Sequence, residues 1–571
     1  MSLSFLLLFS LLPGVGMAQA LSARQVEQLS MLGKVWGFLK YHHPAVSQGR
    51  VDWDSVLVQT LSTWNTQKSL KVDRVVEEWL DRLPGQEALA KPVQVDFSSD
   101  SITYRNYSLQ WLERSKLLTK SQKKAMVSWA APASVKGTYY SQSTPGNRYS
   151  GRNEKVYENM PATAAFRLLT LFRFWNVIEY YYPYKYLQDQ PWEEVLTRFI
   201  PRFIAAEGKD PYLQTLQELT ASLQDTHTSL SPTAYYRIFG EYGPPFACKM
   251  VKEGAVITRM VDASACEAAA LQLGDVIQTV NGRPIQEIIA ANQKYIPASN
   301  EWVKVRDAYW YLFNGTTPQM EIAGLHKDGR AFQVRVRRIK RRYENEWFRD
   351  GVPDNPLLNT SSTKPLSYVA WLEGNMAYIE FSMLEPKKID SLFQALSSTA
   401  GLIFDLRGYN DDGNLVKTFY HLLPDSAQVG IKTIPNFQQP GTFYFQDYII
   451  SPQYKKVGRP NAAAYKGQVV VLIDESTQSA EELWAMMFKT VPGVVVIGTQ
   501  TAGADGNITP VPLPDGYAIT FSGLGIYYSN GAETQRIGIQ PDIQVKPTLQ
   551  DYQLGRDPLV ERAVQVIKQK K

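Results

Sequence analysis

The stretch Val469-Val470-Val471-Leu472-Ile473-Asp474-Glu475-Ser476-Thr477-Gln478-Ser479-Ala480-Glu481-Glu482-Leu483-Trp484 carries the clearest chemical signal in the chain. An unbroken apolar run predicts a strand buried on both faces. The polar residues after it predict a loop, and Ala480, Leu483, Trp484, Met487 and Phe488 recur at helical spacing. Ser479 therefore falls at a helix N-cap, where serine is favoured with no further role. The same position sets its hydroxyl beside unpaired N–H groups and the positive end of a helix dipole, which stabilise a developing oxyanion. A serine nucleophile also needs a base. The chain offers five histidines, His42, His43, His227, His326 and His421. No Cys/His cluster at zinc-ligand spacing and no phosphate-cradling glycine loop is present in the sequence, so no metal or cofactor is expected.

Four ordered motifs give the serine its context. Gly401-Leu402-Ile403-Phe404-Asp405-Leu406-Arg407-Gly408 resembles the "hIhDLRgN" strand of the carboxyl-terminal processing peptidase and tricorn family of serine peptidases. Thr477-Gln478-Ser479-Ala480-Glu481-Glu482 is similar to its "tASAsE" turn, Val496 to Gly506 to "vvGe.T.GkG", and Gly538-Ile539-Gln540-Pro541-Asp542-Ile543 to "GI.PDi". The resemblance implies a crotonase-like (ββα spiral) core and Ser479 as nucleophile. The lysine that serves the processing branch as base is replaced by Ala504, followed by Asp505. Asp225-Thr226-His227-Thr228 is similar to the segment from which the tricorn branch takes its base, which implies His227 in that role, with Thr226 before it. Glu533 is the expected orienting carboxylate, and Asp505 its rival. For the oxyanion hole the resemblance implies the N–H of Ala480 and of Gly408 or Gly413. Packing accounts for His42 and His43, which lie in a repeat. His326 sits in a Lys-Asp-Gly turn and His421 on a helix.

Several elements must position these groups. Trp36-Gly37-Phe38-Leu39-Lys40-Tyr41-His42-His43-Pro44 recurs as Trp175-Asn176-Val177-Ile178-Glu179-Tyr180-Tyr181-Tyr182-Pro183, and Trp53-Asp54-Ser55-Val56-Leu57 recurs at the same offset as Trp192-Glu193-Glu194-Val195-Leu196. Two helical units are expected at 21–90 and 161–240, the second carrying the His motif, with a polar linker or small β region at 91–160 between them. Leu273-Gly274-Asp275-Val276-Ile277 and Val280-Asn281-Gly282 resemble a PDZ domain, which implies a β module at 243–342. Such a module takes a peptide as an added strand and holds its C-terminal carboxylate on backbone N–H groups. The matching loop is Gly243-Pro244-Pro245-Phe246, so Gly243 and Phe246 are the expected substrate contacts, although the two prolines remove donors. A linker near 355–366 precedes an α/β catalytic core at 365–550, and 551–571 is expected to be a C-terminal helix or tail. The fold class is thus multidomain, with helical repeat units, a PDZ-like β module and a crotonase-like core.

Bulk properties agree. With 571 residues, 44% hydrophobic and 20% charged, the chain reads as several packed domains, and a net charge of +5 argues against nucleic acid as a partner. Leu3 to Leu12, Pro13-Gly14 and Ala18-Gln19-Ala20 have the layout of a secretory signal peptide spanning 1–20, and no later run is long enough for a stable membrane span. Cys248 and Cys266 are too few for a disulfide framework, and their pairing stays open. The expectation is a periplasmic or secreted serine endopeptidase acting on unfolded polypeptide. The alternative is an inactive module of the same fold that binds peptides or other ligands.

Overall fold

The computed structural model describes residues 21–64, 69–84, 103–131, 137–157, 159–340, 368–450 and 455–570. The signal-peptide segment and the 355–366 linker lie outside the described residues.

The duplicated sequence folds as a duplicated structure. Helix α1 (Ala23–His42) leads to α2 (Trp53–Thr63), and α3 (Ala164–Tyr181) leads to α4 (Trp192–Ala205). In the first copy Trp36 Nε1 donates to the Trp53 carbonyl (3.0 Å) and Trp53 Nε1 to the Trp36 carbonyl (2.9 Å). The second copy repeats this with Trp175 and Trp192 (2.8 and 3.0 Å). A buried indole N–H needs an acceptor, and each copy supplies one by crossing the two tryptophans. The copies also exchange ion pairs reciprocally. Lys34 pairs with Glu193, and Arg173, at the position of Lys34 in the other copy, pairs with Asp54, at the position of Glu193. This exchange marks an isologous, two-fold-like interface within one chain. At its centre α1 and α3 cross closely: a Cβ on Gly33 would lie 2.7 Å from Phe172, and one on Gly37 would lie 1.9 Å from Asn176.

The intervening region holds short strands and packs on the C-terminal half. Thr103–Arg105 pairs with Thr442–Gln446 of the C-terminal half, and Tyr157 N donates to the Pro514 carbonyl (2.7 Å). Helix α5 (Lys209–Ala221) then leads into the His227 segment.

The next module is an antiparallel sheet of β1 (Phe246–Val251), β2 (Gly254–Met260), β3 (Val276–Val280), β4 (Gln319–Leu325) and β5 (Ala331–Arg337), in the order β5-β4-β3-β2-β1. Asn281 and Gly282 both have positive φ (51° and 74°), as an Asn-Gly hairpin turn requires. Helix α6 (Glu301–Phe313) packs along β1, where Tyr309 Oη donates to the Phe246 carbonyl (2.7 Å). Cys248 and Cys266 are free thiols.

The C-terminal half is built on a sheet ordered β6 (Val369–Leu372), β7 (Met376–Glu380), β8 (Gly401–Asp405), β9 (Gln468–Ile473), β10 (Val495–Gly498) and β11 (Ile543–Gln544). The β6–β7 pair is antiparallel and the rest are parallel. Along β9, Val469, Val471 and Ile473 pack under α7 (Ala480–Phe488), while Val470 and Leu472 pack under α8 (Pro558–Gln569). Two covered faces explain why β9 has no polar alternation. Helix α8, in the segment expected as a C-terminal helix or tail, forms one face of this core through Leu559, Val560, Ala563 and Ile567.

Candidate active site

β9 delivers Ser479 to its turn. The backbone there has φ 61° and ψ −117°, a conformation that costs a non-glycine residue energy and persists only where its surroundings enforce it. Thr477 Oγ1 donates to the Leu406 carbonyl and Ser476 Oγ to the Arg407 carbonyl (both 3.0 Å), wedging the loop against the end of β8. The buried Glu482 carboxylate accepts from Thr501 Oγ1 (2.5 Å), Gly503 N (2.8 Å), Ala504 N (2.8 Å) and Ser479 N (3.3 Å). One side chain thus ties the serine turn to the 501–504 segment. Ala480 is the first residue of α7, so its N–H belongs to the unpaired first turn.

The second side of the site is centred on His227. The Asp225 carboxylate accepts from His227 N (3.1 Å), Ser522 N (2.6 Å), Ser522 Oγ (2.9 Å) and Gln535 Nε2 (3.1 Å). Ser522 Oγ lies 3.0 Å from His227 Nδ1. Its own proton goes to Asp225, so it accepts from Nδ1–H, which leaves Nε2 with a bare lone pair. Burial pushes the imidazole pKa down, opposed by Asp225. The neutral ring that results is the form a base requires. The other histidines are accounted for by packing and pairing: His42 stacks on Phe38, His43 on the edge of Trp129, and His326 and His421 pair with Asp275 and Asp390.

The segment 502–506 runs between the two sides. The Ala502 carbonyl accepts from Thr226 Oγ1 (3.2 Å), the Ala504 carbonyl from Ser479 N (3.2 Å), and the Gly506 backbone lies beside the His227 ring. Among the described residues no hydrogen bond joins Ser479 to His227. The Ser479 hydroxyl instead meets that of Tyr409, whose pKa is pushed up to about 12 by burial, with Glu481 and Asp411 adding to the effect.

Some expected site residues are placed elsewhere. Glu533 accepts from Tyr186 Oη (2.6 Å) and is not among the partners of His227, whose Nδ1 is occupied by Ser522. Asp505 is buried and its carboxyl is raised well above the usual range by burial and by Glu482. Thr226 bridges Ser299 and Ala502 rather than the histidine ring. Of the two glycines, Gly413 is exposed in the Gly413–Lys417 turn, with open space for 4 Å around the point where a Cβ would stand. Gly408 is buried in a space that a Cβ would overfill, 2.4 Å from Ser382 and 3.0 Å from Glu380. The loop after it is pinned by Asn410 N on Glu481 and by Trp484 Nε1 on the Asn410 carbonyl (2.9 Å). Gly243 is paired with Ile339, and the Phe246 side chain is fully buried in the β-module core. Sequence reasoning assigned no role to Asp225, Ser522, Gln535 or Tyr409. Asp225 stands two residues from His227, whereas nothing in the sequence marks Ser522.

A cavity of about 800 Å³ opens between the β module and the core. His227, Thr226 and Gln478 line it on the core side, and Met250, Val305 and Trp302 on the module side. Ser479 is not part of its wall. Among the described residues no group of His, Cys, Asp and Glu could hold a metal ion, and no helix is long and apolar enough to cross a membrane.

The site thus combines a serine on a strained turn between a parallel strand and a helix with a buried histidine whose pKa is lowered, the two linked through the 502–506 segment. Residues 375–545 match peptidase family S41. The chain is 23% identical over 219 residues to the Tricorn protease of Thermoplasma acidophilum, covering 35% of this chain and 18% of that protein. It is 33% identical over 89 residues to a carboxy-terminal-processing protease of Bartonella bacilliformis, covering 16% and 20%. The chain thus spans about a fifth of the length of each of these curated relatives. Mature CPAF has a similar fold, with TM-score 0.54 and 14% identity over 71% of this chain and 97% of that one; its complex with lactacystin gives 0.53.

Proposed function

We propose that the protein is an exported serine endopeptidase acting on unfolded polypeptide, with a PDZ-like module that feeds a crotonase-like core. The observation that carries this reading is the Asp225–Ser522–His227 relay, which leaves Nε2 bare next to the segment that also holds the Ser479 turn. Ser479 Oγ gives its proton to His227 Nε2 and bonds to the scissile carbonyl carbon. The oxyanion faces the N–H groups of Ala480 and Gly408. Collapse breaks the C–N bond as the imidazolium returns the proton to the leaving amine, and water then releases the acyl group by the same steps. Rotation of the Tyr409 hydroxyl away from Ser479 precedes attack.

Labelling by a fluorophosphonate and digestion of reduced, denatured casein test the assignment. Ser479→Ala and His227→Ala are each expected to lower kcat by about 10³-fold or more. Glu533→Ala should stay within a few-fold, and a loss as large as that of His227→Ala would return Glu533 to the relay. With a folded-state His227 pKa below its ordinary value, kcat/KM should fall only as pH drops below about 6.5. An acid limb above that pH contradicts the assignment. The Tyr409–Ser479 contact favours one other reading, an inactive binding module; wild type that neither labels nor digests would support it.

A further inference from the structure

We infer that the groove between β1 and α6 accepts an internal, apolar, extended stretch of polypeptide and does not select a free C-terminal carboxylate. This rests on the peptidase reading and names the segment of substrate that the module holds.

The groove is built for strand addition. β1 is the end strand of its sheet, and the cavity that begins along Met250, Val305 and Trp302 continues without a break to His227. A chain added to β1 is therefore led toward the base. Val305 is 47% exposed on α6 and faces this space, so the wall offers apolar surface for alternate side chains of a strand.

What the groove lacks is a seat for a carboxylate. Capture of a chain end requires N–H donors in the loop before the edge strand. Pro244 and Pro245 have none. The Pro245 carbonyl is turned inward and accepts from Val261 N and Asp262 N (both 2.8 Å), which holds the loop against the end of β2. Tyr242 exchanges hydrogen bonds with Gly315, and Gly243 and Phe246 are paired with Ile339 and Met260. Two of the cations that line the cavity are also neutralised, while Lys546 lies over the Trp302 ring (4.9 Å). Lys249 pairs with Asp474 (3.2 Å) and Glu475 (2.8 Å), and Arg306 with Asp307 (2.7 Å) while donating to the Glu475 carbonyl and the Gln478 side chain. A chain terminus placed at the 243–246 loop would bury a negative charge without the backbone donors that such a seat needs, which is costly.

The test measures fluorescence anisotropy of labelled alternating Leu–Ser peptides with the full-length Ser479→Ala protein, so that nothing is cleaved. Three forms are compared: free acid, C-terminal amide, and the same segment followed by a Gly-Ser extension. Dissociation constants within about twofold of one another are expected, with Val305→Asp weakening all three by about tenfold or more. About tenfold tighter binding of the free acid, absence of binding by every form, or indifference to Val305→Asp would each overturn the inference. Trp302→Ala provides a second groove variant should Val305→Asp fold poorly. Because binding is read on an inactive variant, loss of the peptidase assignment would leave this result interpretable.

Discussion

The two helical units share a tryptophan latch and a reciprocal pair of ion bridges, yet the residues that follow them pack on different partners. After α1, His43 and Ala45 remain inside the helical domain, with the His43 ring against the edge of Trp129 (4.6 Å). After α3, the matching positions are Tyr182 and Tyr184, and they dock on the core. Tyr182 packs on Phe521 (5.9 Å), and the Tyr184 hydroxyl donates to the Ile526 carbonyl (3.2 Å) while accepting from Ile526 N. Phe521 precedes Ser522, the residue that sets the His227 tautomer. The first copy therefore stabilises its own domain, and the second carries the strand on which the candidate base depends. The ion bridges diverge likewise: Arg173 and Asp54 are buried with Lys40 and Glu154, whereas Glu193 is 59% exposed.

This contrast can be broken in graded steps. Asp54→Ala should cost about 3–5 kcal/mol in a urea melt, because it leaves buried cations short of a partner. His43 comes next. Burial lowers its pKa to about 4, below the ordinary 6.5 of an unfolded chain. As pH falls through 6.5 the unfolded state takes up the proton first, so stability present above 6.5 is lost between about 6.5 and 4. From about pH 8 to about pH 5 wild type should lose about 2 kcal/mol more than His43→Tyr, the residue found in the second copy. Tyr184→Phe strands a core N–H and should cost about 1–3 kcal/mol; unlike the first two changes, it should also lower kcat at a temperature where the fold is intact. Glu193→Ala, the half-exposed counterpart of Asp54→Ala, should cost less than about 1 kcal/mol. Equal losses for Asp54→Ala and Glu193→Ala would dissolve the contrast.

The parts legible in the sequence are those whose signal is local. β9 announces itself through the apolar run Val469–Ile473, because that stretch is covered by α7 on one face and α8 on the other. The helix after Ser479 is visible in its spacing, and the duplication in its paired tryptophans. What stays hidden depends on partners distant along the chain. Ser522 is nearly 300 positions from the Asp225–His227 segment that it completes, and a lone serine on a β strand has no signature. Glu533 carries a plausible charge, but charge alone does not say which way a side chain turns, and Tyr186 holds it. The glycine pair after Asp405 is ambiguous for the opposite reason, since only the crowding by Ser382 distinguishes Gly408 from the exposed Gly413. That α8 covers the core is not legible in the sequence, because the face it covers belongs to strands far upstream.

The crossing of α1 and α3 has a consequence for how such a domain can arise. At its centre equivalent positions face each other, and they differ: Gly33 meets Phe172, and Gly37 meets Asn176. Two identical subunits related by a two-fold axis must present the same residue to itself there, knob against knob or hole against hole. Fusion of both copies in one gene lifts that restriction, so the bulky partner has settled in one copy and the glycine in the other. The junction can no longer be rebuilt from either half alone, and the two units are committed to each other.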